Sequence, residues 1–227
     1  MQSTITDVFF DLDHTLWDFE KNSALAFRKV LKENAPDVDV EIFLKHYVPI
    51  NYHYWERYRK DEITQSELRF GRLRDTFIEI GYDVDEDKIA FLSQEYIRFL
   101  PQYNYLFDGA IEVLDYLKTK YNLHIITNGF DEVQQHKITN SNIAHYFSTV
   151  TNSEMAGVKK PNPVIFEYAL QKAKTQKENS IMIGDCIEAD VRGALQCGID
   201  AILFCGPSTK HDGIKRICHL SEIKKYL

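Results

Sequence analysis

Val8-Phe9-Phe10 runs straight into Asp11-Leu12-Asp13-His14-Thr15, an apolar stretch of strand character ending in two carboxylates spaced i, i+2. Residues at that spacing on an extended chain point to one side. As the strand ends, Asp11 and Asp13 therefore both face the crevice at its carboxyl edge, where open α/β sheets take their ligands. His14 falls on the other side by the same alternation. Two carboxylates held that close repel unless a cation or a shared proton relieves them. An oxygen-seeking divalent ion such as Mg²⁺ suits the position. A strand ending in a solvated acidic turn has the same local sequence, so the rest of the chain must decide between the two.

The chain has two textures. From Trp17 to about Leu100 glycines are few (Gly71 and Gly81) and charges many, with apolar residues at helical spacing. Ala24, Phe27 and Leu31 mark one helix face; Leu68, Leu73, Phe77 and Ile80 mark another. Further helical stretches are expected near Val40–Tyr47, Tyr52–Arg59 and Asp87–Phe99, with Gly81 as a helix stop. After Pro101 helices alternate with short apolar strands. The strands are expected at His124–Thr127, Thr149–Thr151, Ile181–Ile183 and Ala201–Phe204. The helices, one before each of these strands, are expected at Gly109–Lys120, Asp131–Ser141, Pro163–Lys174 and Asp190–Cys197. Near-continuous apolar strands alternating with helices imply a parallel sheet covered on both faces. The fold class is therefore α/β, a Rossmann-like parallel core made of residues 1–16 and 101–227, with residues 17–100 inserted as an all-helical module.

Composition narrows the partners. A net charge of −7 argues against a nucleic acid polymer or an anionic membrane surface, yet permits a small anion wherever one lysine and a metal reverse the local potential. The four cysteines form neither a Cys-x-x-Cys pair nor a zinc spacing, so they read as reduced thiols. Met1–Thr4 opens no signal-peptide pattern and no apolar run approaches a membrane span. A cytoplasmic enzyme is the expectation.

Three more polar clusters stand where strands end or loops begin. Thr127-Asn128-Gly129 offers a hydroxyl and a Gly-containing turn before a helix, suited to phosphate oxygens and equally to a plain turn or cap. In Gly157-Val158-Lys159-Lys160-Pro161, the lysine before proline lies on restricted, extended backbone that can aim its ammonium at developing negative charge. Two solvated surface lysines are the alternative. Ile183-Gly184-Asp185 repeats the first arrangement, an apolar strand delivering an acid, with Asp190 at the next helix start, where it can also serve as a cap.

Taken together, Asp11-Leu12-Asp13-His14-Thr15, Thr127-Asn128, Lys160-Pro161 and Gly184-Asp185 with Asp190 resemble, in order, the motifs of the haloacid dehalogenase (HAD) superfamily of phosphatases. The resemblance spans Val8 to Asp190, with a helical C1-type cap between the first two motifs. It implies that Asp11 is the nucleophile of an aspartyl-phosphate mechanism and that Asp13 is the general acid and then base. It implies that Mg²⁺ is held by Asp11, Asp185 and the main-chain carbonyl of Asp13. Thr127 and the Asn128 amide would hold the phosphoryl oxygens. Lys160, with Lys159 as its rival, would balance charge, and Asp190 would orient Lys160 or a metal-bound water. An acid at Asp13 is what an alkoxide leaving group needs and a halide does not.

Trp17-Asp18-Phe19, Thr127-Asn128-Gly129-Phe130 and Val133-Gln134-Gln135 are similar to the subgroup that hydrolyses pyrimidine nucleoside monophosphates. Tyr47, Tyr52, Tyr54 and Trp55 are candidates for stacking on a base, or for packing between helices. The expected partner is thus a small phosphomonoester, a nucleoside 5′-monophosphate. The alternatives are a sugar-phosphate phosphatase, a 2-haloacid dehalogenase or a catalytically silent binding protein on the same fold.

Overall fold

The computed structural model describes residues 4–205 and 213–227; Met1–Ser3, within the stretch read for a signal peptide, lie outside them. The chain divides into two compact units, Met1–Phe19 with Asn104–Leu227, and Glu20–Tyr103. Trp17 belongs with the first unit, where it forms isolated bridges to Asp13 and Leu106.

Every residue of β1 (Asp7–Phe10) is buried, and a strand with no solvent face needs a covered sheet with neighbours on both sides. Four helices, α1 (Phe19–Asn34), α2 (Val40–Arg59), α3 (Gln65–Glu79) and α4 (Glu86–Phe99), follow it. The chain then continues through α5 (Ala110–Lys118), β2 (Asn122–Thr127), α6 (Asp131–Asn140), β3 (Phe147–Asn152), α7 (Ser153–Ala156) and α8 (Pro163–Ala173). β4 (Ser180–Gly184), a helical stretch over Ile187–Gln196, β5 (Asp200–Phe204) and β6 (Lys215–Ile217) complete it. The six strands are all parallel, in the order β3-β2-β1-β4-β5-β6. The order reverses direction at β1, and at such a switch point the loops leaving adjacent strands diverge to open a crevice at the carboxyl edge. β6 was not expected from the sequence. It is a short edge strand in which Lys215 and Arg216 are exposed and only Ile217 is buried, so it lacks the apolar run that marks an interior strand.

Within the helical unit, Pro49 sits inside a continuous α2 rather than ending a first helix near Tyr47. An interior proline costs about 3 kcal/mol, and the buried stripe of Phe43, Tyr47, Asn51, Tyr54 and Tyr58 on the same helix opposes that cost. Gly81, with φ of 67°, follows the end of α3 in the left-handed conformation typical of a helix stop. The aromatic cluster is largely core. Phe27 packs against Tyr47 and Tyr96 with ring centroids 4.4 and 4.1 Å apart. The Tyr54 hydroxyl donates to Asp75 at 2.6 Å, and its ring lies so close to Gly71 that a Cβ there would come within 2.5 Å. Tyr52, at 65% exposure, is the member of the set left on the surface.

Candidate active site

The β1 ladder extends one bond past Phe10, through Asp11 N–H donating to the Ile183 carbonyl at 2.9 Å. The chain then leaves the strand. Leu16 and Trp17 N–H both donate back to the Leu12 carbonyl, and His14 takes a left-handed φ of 61°. The alternation expected through His14 thus stops short of it. A tight loop, not strand pleat, sets Asp13 and His14, and the His14 ring lies 4.9 Å from Phe19.

Lys160 organises the first half of the site. It is 2% exposed, and its ammonium donates at 2.6 Å to Asp11 Oδ1, to Asp190 Oδ1 and to the Ile126 carbonyl. Its backbone is fixed by Asn128, whose side-chain oxygen accepts from Lys160 N–H at 2.7 Å while its NH₂ donates to the Lys160 carbonyl at 3.0 Å. The Asn128 side chain is therefore spent on positioning the lysine loop, which leaves its main chain as the part that could meet a ligand. Lys159 is half-buried. Asp190 lies inside the Ile187–Arg192 helical turn rather than capping it. The cap position belongs to Cys186, whose N–H donates to Asp190 Oδ2 at 2.9 Å. Gly184 makes that approach possible, because a Cβ there would sit 2.3 Å from Asp190 Oδ2.

Asp11, Asp185 and Asp190 each place a carboxylate oxygen within 4.8 Å of the others. Burial, opposed by Lys160 and reinforced by Asp190 and Asp185, holds the Asp11 carboxyl well above its ordinary range. Burial and the charge of Asp190 push Asp185 up to about 8. Three carboxylates against one ammonium leave two negative charges uncompensated when all are ionised, so the donor set fits a divalent oxygen-seeking cation.

The second half of the site centres on Asp13. Its charge reaches Asp185 and adds to the raised pKa there, while its own carboxylate turns toward α6. Lys137 Nζ donates to Oδ1 at 2.6 Å and Gln134 Nε2 to Oδ2 at 2.9 Å. Gln134 Nε2 also donates to the Thr127 hydroxyl at 2.7 Å, and Gly129 N–H donates to the same hydroxyl at 3.1 Å. With both lone pairs of Oγ1 taken, the Thr127 proton is the group left to face an acceptor. Gly129 leaves the space that the Gln134 side chain occupies, since a Cβ there would come within 2.2 Å of Gln134 Nε2 and force the glutamine to shift.

Sequence reasoning did not single out Lys137 and used Gln134 only as part of a resemblance. The available signal was a lysine and a glutamine standing among Val133 and Ile138 on the buried stripe of α6.

Known proteins share this arrangement of elements. A family model described as haloacid dehalogenase-like hydrolase matches residues 8–204. The pyrimidine 5′-nucleotidase PynA of Streptococcus pneumoniae is 35% identical over 202 residues, covering 87% of this chain and 82% of that protein. The pyrimidine 5′-nucleotidase YjjG of Escherichia coli is 29% identical over 193 residues, covering 85% and 82%. The crystal structure of the HAD hydrolase YfnB of Bacillus subtilis, determined bound to magnesium, superposes with a TM-score of 0.89 at 28% identity, covering 99% of each chain.

Proposed function

This chain belongs to the family of haloacid dehalogenase-like hydrolases and is an enzyme, and within that family we propose that it is a Mg²⁺-dependent phosphatase that hydrolyses pyrimidine nucleoside 5′-monophosphates through a phosphorylated Asp11. The observation that carries the reading is the buried Lys160 ammonium, 2.6 Å from both Asp11 and Asp190 at the switch point of the sheet.

Each residue has a task that its geometry suits. Lys160 fixes Oδ1 of Asp11, and Oδ2 attacks phosphorus to form the acyl phosphate as the ester oxygen departs. Asp13 gives the departing alkoxide its proton and then takes one from the water that hydrolyses the intermediate, a contribution worth about 10²–10⁴-fold. The Thr127 hydroxyl and the Asn128 main chain hold the phosphoryl oxygens. Asp190 keeps Lys160 in place, so positive charge stays beside the reacting oxygen. Asp11, Asp185 and the Asp13 main-chain carbonyl would hold Mg²⁺, which supplies charge neutralisation that lets one anion approach another.

Asp13 favours phosphate esters over carbon–halogen bonds, because a halide leaves without a proton. The nucleotide preference is supported by the names of PynA and YjjG. Tyr47 and Tyr54 pack into the helical core, so they are not the aromatics that would stack on a base. Phosphate release from dUMP, dAMP and glucose 6-phosphate, with Mg²⁺ and with a chelator, tests the reading. The highest kcat/KM is expected for dUMP with Mg²⁺. A preference for glucose 6-phosphate would overturn the nucleotidase assignment, and equal rates on dAMP would remove its pyrimidine clause.

A further inference from the structure

Gln134 and Lys137 lie three residues apart on α6, on the same helix face. Both are buried, Lys137 at 2% exposure. Burying an ammonium and an amide is costly unless their hydrogen bonds are made, and here they are made to two groups of the site. Lys137 Nζ reaches Asp13 Oδ1 at 2.6 Å and lies 4.3 Å from the centre of the Trp17 ring and 5.3 Å from that of Phe19. These rings confine the lysine stem beside Asp13. Gln134 divides its two amide protons between Asp13 Oδ2 and Thr127 Oγ1, at 2.9 and 2.7 Å.

The glutamine makes these bonds at a cost. Its carbonyl Oε1 is buried and finds no donor among the described residues. Turning the amide over would set that oxygen against the Asp13 carboxylate, so the two donations and the orphaned acceptor belong to one orientation. A buried orphan acceptor is costly to leave unmade, an arrangement more in keeping with a site than with a helix–sheet contact chosen for stability. A helix that served only packing would place apolar side chains at both positions, as it does at Val133 and Ile138.

We propose that Gln134 and Lys137 are positioning residues for the hydrolysis: Lys137 fixes the Asp13 carboxylate against rotation, and Gln134 ties it to the Thr127 hydroxyl. The group that serves the leaving oxygen and the group that grips the phosphoryl oxygen are thereby held in one register by a single helix turn. This rests on the reading of Asp13 as the proton donor to the leaving group.

Two consequences separate the pair. Of the two groups Lys137 touches Asp13, so its loss acts through the proton transfers of Asp13, and in the phosphorylation step it tells only where a leaving group needs a proton. Gln134 touches both, so its loss also weakens the hold on every phosphate.

The test compares kcat/KM on dUMP, whose alkoxide needs protonation, with kcat/KM on 4-nitrophenyl phosphate, whose phenoxide does not, since kcat/KM reports the phosphorylation step and not the shared hydrolysis of the intermediate. The ratio of the two rates in one preparation is independent of the fraction folded, so a destabilised variant still reports. Lys137→Met is expected to lower the dUMP/aryl ratio by about 10–10²-fold, the scale set by misplacing a catalytic group, with KM for both substrates nearly unchanged. Gln134→Ala is expected to lower the same ratio and to raise KM for both substrates. In an Asp13→Asn background, Lys137→Met should change the ratio no further, because the two residues act as one unit.

A wild-type ratio in Lys137→Met, or losses that multiply in the double variant, would overturn the positioning role. If Asp13→Asn itself lowers kcat/KM for both substrates equally, the proton-donor reading of Asp13 fails first and the inference falls with it.

Discussion

Replacing Lys160 by Met removes the ammonium while keeping most of the side-chain volume. Three hydrogen bonds of 2.6 Å are lost, and the carboxylates of Asp11 and Asp190 lose their shared counter-charge. Breaking a buried ion pair by removing one partner costs about 3–5 kcal/mol, because the remaining charge stays buried and uncompensated. At roughly 2–4 °C per kcal/mol for a chain of this size, Tm should fall by about 6–20 °C in the absence of Mg²⁺.

The deficit should also depend on pH, with a definite sign. Burial already holds the Asp11 carboxyl well above its ordinary range, and Lys160 is the main influence pulling it down. Without Lys160 the folded protein favours protonated Asp11 more strongly. A carboxyl raised on folding contributes stability below its unfolded pKa and loses that contribution as pH rises through the folded one. The gap between wild type and Lys160→Met should therefore be smaller at pH 5 than at pH 8. Thermal denaturation followed by circular dichroism at the two pH values measures both effects. A variant melting within about 2 °C of wild type, or a gap that widens toward pH 5, would refute the account of Lys160 as the counter-charge of a buried acidic pair.

Further expectations follow from other contacts. Asp13→Asn should lower kcat/KM for dUMP far more than for 4-nitrophenyl phosphate, by a factor within about 10²–10⁴; equal losses in kcat/KM would mean Asp13 serves the fold or the metal. Gly129→Ala drives a Cβ to 2.2 Å from Gln134 Nε2 and should reproduce the raised KM of Gln134→Ala; unchanged kinetics would show that the glutamine has room to move. Mg²⁺ at 100 times its Kd should stabilise the wild type by about 2.7 kcal/mol, and Asp185→Asn should remove most of that shift in a melting assay. Asp7, at the start of β1, accepts hydrogen bonds from the Thr6 and Thr175 hydroxyls and from Asn122, and contacts His124 Nε2 at 3.0 Å. Burial raises its carboxyl pKa, but these partners outweigh burial and hold it below the usual range. Asp7→Ala should cost stability at pH 8 and more at pH 6, because Asp7 also supports the charged form of buried His124, and should leave KM for dUMP unchanged; a changed KM would contradict the separation of Asp7 from the site.

Local pattern carried the strand ends furthest. Asp11, Thr127 and Asp185 each follow or close an apolar run, and a buried parallel strand is legible from such a run because both of its faces are apolar. β6 was illegible because its burial rests on Ile217 alone. Helix breaks misled at Pro49, where packing of the α2 stripe overrode the local cost of the proline. In sequence Asp190 has the look of a helix start, because Asp commonly caps. In the fold the helical turn begins earlier, at Ile187, and the carboxylate is drawn inward by Lys160 and the Cys186 N–H. The Lys137–Asp13 pair joins residues 124 positions apart. Spacing on α6 places Lys137 on the buried stripe, but only the assembled sheet says which acid it meets.

The central claim is that Asp11 is phosphorylated during turnover. Rapid acid quench of the enzyme with phosphate-labelled dUMP and Mg²⁺, followed by proteolysis and mass spectrometry, tests it directly. The account predicts a hydroxylamine-labile phosphoryl group on the peptide carrying Asp11, formed and lost at rates compatible with kcat and missing from Asp11→Asn. Steady turnover by Asp11→Asn, or label recovered on any other residue, would contradict it.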